Sequence, residues 1–283
     1  MEPNNNPLQK YFRQPGVTCR LPSNGKFQDA DNVRFTASGE VSVLPMRAAD
    51  EMLLKSPDAL MSGMAIEKVI QSCVPDVKDP LQLPTPDVDT LLLAIRAATY
   101  GPEMGVESEC PECAKINSYV FDVNTILDTV VPLEDSYSVR LSDDIVVDLR
   151  PFNFRNSTQA SNIAFQEARK LQMIDNPEST EEEKQTQLNS SYARINNMNV
   201  QMVADCVESV VVPEGRITDP KLISEFVHNI QQKWVAQLET KLKDINLAGI
   251  NKGHEIQCNN KACNHVWTTT IEFDPANFFG PSS

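Results

Sequence analysis

Apolar residues recur at intervals of three and four through Ile223, Phe226, Val227, Ile230, Trp234, Leu238, Leu242 and Ile245, which is the periodicity of one helix with a single apolar stripe. Thr218-Asp219-Pro220 supplies a start and Gly249 a stop. The pattern predicts one long helix with its stripe turned to the core. A second run, Leu91-Leu92-Leu93-Ala94-Ile95, follows the start signal Thr85-Pro86-Asp87 and ends at Tyr100-Gly101-Pro102. Its apolar residues occupy more than one face, so this helix is expected at the centre of the core. Ser56-Pro57-Asp58 opens another helix, lined by Leu60, Met64, Ile66 and Ile70.

Strand patterns are shorter. Residues 137–141 alternate and 145–151 pair with them across Ser142-Asp143-Asp144, which predicts a hairpin. Residues 33–35 and 40–44 flank Ala37-Ser38-Gly39 and predict a second one. Asn24-Gly25 marks a tight turn. Asn156-Ser157-Thr158 is read as the cap of a helix over 159–173. A polar, acidic link follows over 175–184, and a helix then resumes to Val210 before a turn at 212–216.

Between and after these segments lie two cysteine pairs, Cys110-Pro111-Glu112-Cys113 and Cys258-Asn259-Asn260-Lys261-Ala262-Cys263. Each spacing lets two thiolates point at one ion, and two such loops complete a tetrahedral four-cysteine site. Each pair runs into a short polar stretch and then a strand ending in Phe-Asp, at 119–122 and 270–274. The expectation is a zinc ribbon split across the chain, with one structural Zn2+ held by Cys110, Cys113, Cys258 and Cys263. His254 and His265 lie close enough in sequence to replace a cysteine, and a four-thiolate site also accepts iron, although zinc is the commoner occupant. Four thiolates leave no open position for catalysis.

The fold class expected is α+β: a small N-terminal α/β part, a zinc ribbon assembled from two distant knuckles, and a helical insertion between them. Residues 1–20 read as an extended arm and 21–109 as an N-terminal domain with a hairpin and helices. Residues 110–155 read as the first knuckle with β-hairpins, 156–250 as a helical domain, and 251–283 as the second knuckle and a C-terminal tail. The arm and the tail pair Phe278-Phe279 are candidates for partner contacts.

Composition narrows the function. The 283 residues are 41% hydrophobic, enough for a sizeable core, and carry a formal net charge of −14. Aromatics make up only 6%. Such a chain lacks the basic surface and the stacking platforms that nucleic-acid binding uses, and the residues beside the knuckles (Glu107, Glu109, Glu112, Lys115, Glu255, Lys261, Glu272) are mainly acidic. No apolar run is long enough to cross a membrane, and residues 1–14 lack the apolar core of a secretion signal. Cys19, Cys73 and Cys206 sit among apolar neighbours and read as buried thiols of a protein that matures in a reducing compartment. Enzyme constellations are not apparent. Of the three histidines, His228 lies inside the long helix as a surface or packing residue, and His254 and His265 flank the second cysteine pair, where the metal or the turn explains them. No Gly-x-Ser-x-Gly occurs, and the carboxylate pairs Asp87/Asp89 and Asp143/Asp144 fit a helix start and a turn. No small-molecule substrate is expected.

Four features occur in order: Leu-Pro-Ser-x-Gly-x-Phe at 21–27, Leu-Leu-x-x-Ile-Arg-x-x-x-Tyr-Gly at 92–101, Cys-Pro-x-Cys just after it, and a late cysteine cluster before Trp267 and Phe273-Asp274-Pro275-x-x-Phe-Phe. Together they resemble the baseplate hub protein family of contractile-tailed, T-even-type bacteriophages, over about residues 21–279. The resemblance implies a non-enzymatic structural or assembly protein of the central hub region of the phage baseplate. Its partners would be other tail or baseplate proteins, and its location the virion tail after assembly in the host cytoplasm. An alternative remains open: a transient assembly chaperone, or a zinc-ribbon binding module, that the mature particle does not retain. The resemblance carries over no catalytic residue.

Overall fold

The computed structural model describes residues 8, 11–173 and 181–270. It shows a mixed α and β fold with two hydrophobic cores and a helical insertion.

The first core forms around α4 (Thr85–Tyr100). Leu91, Leu93, Ala94 and Ile95 on it have no exposed surface, which accounts for its apolar residues on several faces. Around it pack a strand pair, β1 (Val17–Cys19) with β2 (Val41–Val43), and the short helices α1 (Ala48–Leu54), α2 (Pro57–Met61) and α3 (Met64–Cys73). The hairpin expected between 33–35 and 40–44 is not the pairing adopted. The turn itself closes, with the Thr36 N–H donating to the Glu40 carbonyl at 2.9 Å. Residues 32–34, however, bond to the loop at 76–78: the Arg34 N–H donates to Asp76 and the Lys78 N–H to Asn32, both at 2.9 Å. That leaves β2 to pair with β1, inside the segment expected to be an extended arm. Val41 and Val43 are thereby fully buried.

After α4 come a long hairpin, β3 (Glu103–Glu109) with β4 (Ile116–Asp122), and α5 (Val123–Asp128), whose Val123 and Ile126 close the first core.

The second core lies on one face of an antiparallel sheet ordered β5-β6-β7-β8. The expected hairpin forms its first half as β5 (Tyr137–Arg140) and β6 (Val146–Leu149). Two helices then intervene, α6 (Phe154–Met173) and α7 (Glu181–Asp205). The start of α6 corrects the expected cap. Asn153, rather than Asn156, is the capping residue: its side chain accepts the Asn156 N–H at 2.9 Å, while the Asn156 side chain accepts the Asn153 N–H at 3.3 Å. This is the reciprocal arrangement of a capping box.

The expectation of helix to Val210 is also corrected. The helix stops at Asp205, and the β-branched run after it forms β7 (Val207–Val212), which pairs with β6 and with β8 (Gly215–Ile217). The end of the stretch read as helix and the turn after it thus supply two of the four strands.

The long helix expected after Pro220 is two helices. α8 (Pro220–Asn229) is capped by Ile230, which is extended at φ −77° and ψ 165°, and after Gln231 the chain enters α9 (Gln232–Ile245). No glycine or proline forces the break. α8 packs on α7 and β7, whereas α9 packs on α7 and β5, so a straight rod could not cover the same core. The break also buries Val235, which lay outside the expected stripe.

Beyond Gly249 the chain returns to the first core, and the described residues close with a further hairpin, β9 (Gly253–Gln257) with β10 (Val266–Thr270). Lys252 on this return segment pairs with Asp89 of α4 at 2.6 Å.

Candidate metal centre

The two cysteine loops open and close alike, each bridged at its base by a backbone hydrogen bond and ended by a left-handed residue. In the first, the Cys110 N–H donates to the Lys115 carbonyl and the Ala114 N–H to the Cys110 carbonyl, both at 2.9 Å. In the second, the Cys258 N–H donates to the His265 carbonyl at 2.8 Å. The residue after the second cysteine of each pair is left-handed: Ala114 at φ 55° and Asn264 at φ 49°. That turn points both cysteines of a loop the same way. In the longer second loop, Asn260 absorbs the two extra residues, with its carbonyl accepting the N–H groups of Cys263 at 2.8 Å and Asn264 at 3.0 Å.

The hairpins face each other through specific contacts. Trp267 Nε1 donates to Ser108 Oγ at 3.2 Å, Thr269 Oγ1 donates to the same oxygen at 3.1 Å, and Tyr119 donates its hydroxyl to the Gln257 carbonyl at 2.8 Å. The Tyr119 and Trp267 rings meet edge to face at 6.4 Å.

This packing brings the sulfurs of Cys110, Cys113, Cys258 and Cys263 within 4.8 Å of one another. The cross-loop distances are 3.8 Å for Cys110–Cys263 and 3.7 Å for Cys113–Cys258. A disulfide needs about 2.05 Å, and all seven cysteines are free thiols. Four sulfurs at ~2.3 Å from one tetrahedral ion stand about 3.8 Å apart, so the cluster fits a metal and not a pair of disulfides.

The surroundings also suit thiolates. The Asn260 N–H points at Cys258 Sγ at 3.4 Å, and the Asn260 side-chain amide lies 4.0 Å from Cys113 Sγ. The Lys115 backbone N–H, helped by the neighbouring thiols, pulls the Cys113 thiol down to about 7. Burial pushes Cys258 up, and the Cys113 and Cys110 thiols add to the rise. Such a cluster gives up the Cys113 proton readily and holds those of Cys258 and Cys263, because a new thiolate there is repelled by its neighbours. A divalent cation supplies the missing countercharge. Cys110 and Cys258 are buried, Cys263 is partly covered and Cys113 is exposed, so the centre lies at the rim of the module.

Neither histidine joins the sulfurs. The His265 ring stacks on Trp267 at 6.1 Å, and His254 hydrogen-bonds to the Asn251 carbonyl at 2.9 Å beside the Phe121 ring. His228 lies on α8 with Nδ1 against the Ser224 carbonyl at 2.8 Å. Cys19, Cys73 and Cys206 are buried core thiols, as their neighbours suggested. Asp87 and Asp89 are at the start of α4 and take different partners, while Asp143 and Asp144 lie in the turn between β5 and β6. Phe278, Phe279 and the strand expected to reach Asp274 fall outside the described residues.

The residue that the pattern did not reveal is Asn117. It is 2% exposed, donates to the Lys115 carbonyl at 2.8 Å and accepts the Asn259 N–H at 2.9 Å. An asparagine in a strand gives no sign of this in the sequence, since its partner lies 142 positions away.

Over residues 15–280 the chain matches the family described as T4 bacteriophage base plate protein. It belongs to that family. No curated protein and no solved structure was found to match significantly. The base plate family is structural and not catalytic. Among the described residues no helix is long and apolar enough to cross a membrane. Membership also implies contact with other tail or base plate components.

Proposed function

We propose that this base plate protein works as a metal-locked scaffold in the central hub region of the phage tail. Cys110, Cys113, Cys258 and Cys263 hold one structural Zn2+, and its role is mechanical. The observation that carries this reading is the convergence of four sulfurs from two hairpins, with cross-loop pairs 145 and 153 positions apart in sequence at 3.7 and 3.8 Å. Between those hairpins run the second core and the helices α6 and α7, so an ion here fixes the return of the chain onto the first core. Closing so long a loop carries an entropic cost that thiolate–zinc bonds can offset, since structural zinc contributes ~10 kcal/mol or more of folding free energy in small modules. On this reading the protein stays in the virion tail, having been assembled in the host cytoplasm, and its ligands are other tail proteins rather than small molecules or nucleic acid.

Cobalt substitution tests the ligand set. The Co2+-loaded protein should show the intense visible bands of a tetrahedral four-thiolate ion, and a Cys110→Ser variant should weaken and shift them. A spectrum of octahedral cobalt, or one unaltered in Cys110→Ser, would refute the assignment.

A further inference from the structure

The hairpin β3–β4 packs only one of its faces. Met104, Val106 and Ser108 on β3, with Asn117, Tyr119 and Phe121 on β4, turn toward the protein. The alternate residues (Glu103, Gly105, Glu107 and Glu109; Ile116, Ser118, Val120 and Asp122) form the outer face. Two features of that face are unusual. Ile116 is 64% and Val120 is 71% exposed, both β-branched and apolar. The register places Val120 opposite Gly105 and Ile116 opposite Glu109. A Cβ built on Gly105 would meet no atom within 4 Å. The glycine therefore leaves an open notch beside Val120, bounded by the neighbouring acidic side chains.

The charges define what could fill it. None of the eight outward residues is cationic, four are acidic, and Glu107 and Glu109 make no ion pair among the described residues. The whole chain is strongly negative. Nucleic acid and anionic lipid are repelled by such a face. A protein surface with an apolar side chain between lysines or arginines would seat the apolar group over Gly105, against Val120, and place its cations on Glu107 and Glu109.

We propose that the outer face of β3–β4 is the docking surface for a basic, apolar segment of another tail protein. The inference deepens the scaffold role given above, since the metal would hold this hairpin rigid from its inner side.

The test uses the full chain and a short synthetic peptide of alternating lysine and valine, with a glutamate–valine peptide as its counterpart. Glu107→Lys/Glu109→Lys should lower affinity for the lysine peptide about tenfold relative to Asp143→Lys/Asp144→Lys, which makes the same charge change at a distant exposed turn. Gly105→Val fills the notch in a strand that tolerates it, so it should leave the protein folded yet weaken binding by a similar factor. Ile116→Ser/Val120→Ser should weaken binding at high as well as low salt, because screening leaves apolar contact intact. Equal loss in the Asp143/Asp144 control, unchanged binding in Gly105→Val, or self-association through this face in the absence of peptide would overturn the proposal. Metal content measured on the same samples separates the two readings. Face-dependent binding by metal-free protein would leave the docking surface standing and remove the zinc scaffold. One metal per chain with no face-dependent binding would do the reverse.

Discussion

The side-chain carbonyl of Asn117 accepts the backbone N–H of Asn259 at 2.9 Å, joining the strand after the first cysteine loop to the interior of the second. The Asn117 amide simultaneously donates to the Lys115 carbonyl at 2.8 Å. One buried side chain therefore sets the distance between two loops that share no covalent neighbour. Asn117→Ala should leave these backbone groups without their partner, at about 1–3 kcal/mol of stability. It should also lower metal affinity about 10–100-fold, as loss of a ligand-orienting residue typically does. Competition with a chromophoric chelator measures the second effect, and an affinity equal to that of the unsubstituted chain would show that Asn117 does not orient the loops.

Asp87 offers a pH readout of the first core. It has no exposed surface and accepts the Ser23 backbone N–H at 2.8 Å together with the Ser23 hydroxyl. Burial pushes its carboxyl up to about 7, overcoming the lowering effect of both hydrogen bonds. The folded protein therefore keeps this proton over a range where the unfolded chain, near 3.8, has lost it. The stability tied to the proton is fully present below about 3.8, declines as pH rises, and is gone above about 7. Denaturant titrations across that window should show a falling contribution that disappears in Asp87→Asn. An identical pH slope in that variant would show that the group titrates as if exposed.

Gly249 is the point where the chain rejoins the first core. Its N–H and carbonyl both bond to Val131 at 2.8 Å, its φ is 93°, and a Cβ would stand 3.0 Å from Pro86 Cβ. A side chain here meets an unfavourable backbone conformation and a rigid neighbour together. Gly249→Ala should destabilise the protein by at least about 1 kcal/mol, read as a lowered denaturation midpoint. An unchanged midpoint would mean that the segment relaxes freely and is not a fixed joint.

Much of this arrangement was legible in the sequence, for local reasons. Thr85-Pro86-Asp87 and Tyr100-Gly101-Pro102 bracket α4 because its start and stop are set within a few residues. The cysteine loops were legible because two thiolates on one ion demand short spacing. What escaped was decided at a distance. Val41 and Val43 pair with Val17–Cys19 because residues 32–34 are held by the loop at 76–78. The apolar stripe from Ile223 to Ile245 would suit one continuous helix, yet Ile230 is extended so that both halves can reach the sheet. Val207, Val210 and Val211 sit in a strand because β6 offers a free edge there. Asn117 belongs to the same class, since its role exists only once the second loop has arrived.

The cysteine loops also predict a local consequence of metal loss. Cys258→Ser should raise hydrogen exchange at the amides of β9 and β10 and leave that of α4 unchanged, because the ribbon can open without unfolding the first core. Uniform protection in both would contradict a metal-dependent clasp.

The central claim is a single ion at Cys110, Cys113, Cys258 and Cys263, and the most direct test is elemental analysis of protein purified under reducing conditions without chelator. One zinc per chain is expected, lost or markedly reduced in Cys110→Ser. Metal-free protein that is fully folded, or undiminished zinc in Cys110→Ser, would contradict it.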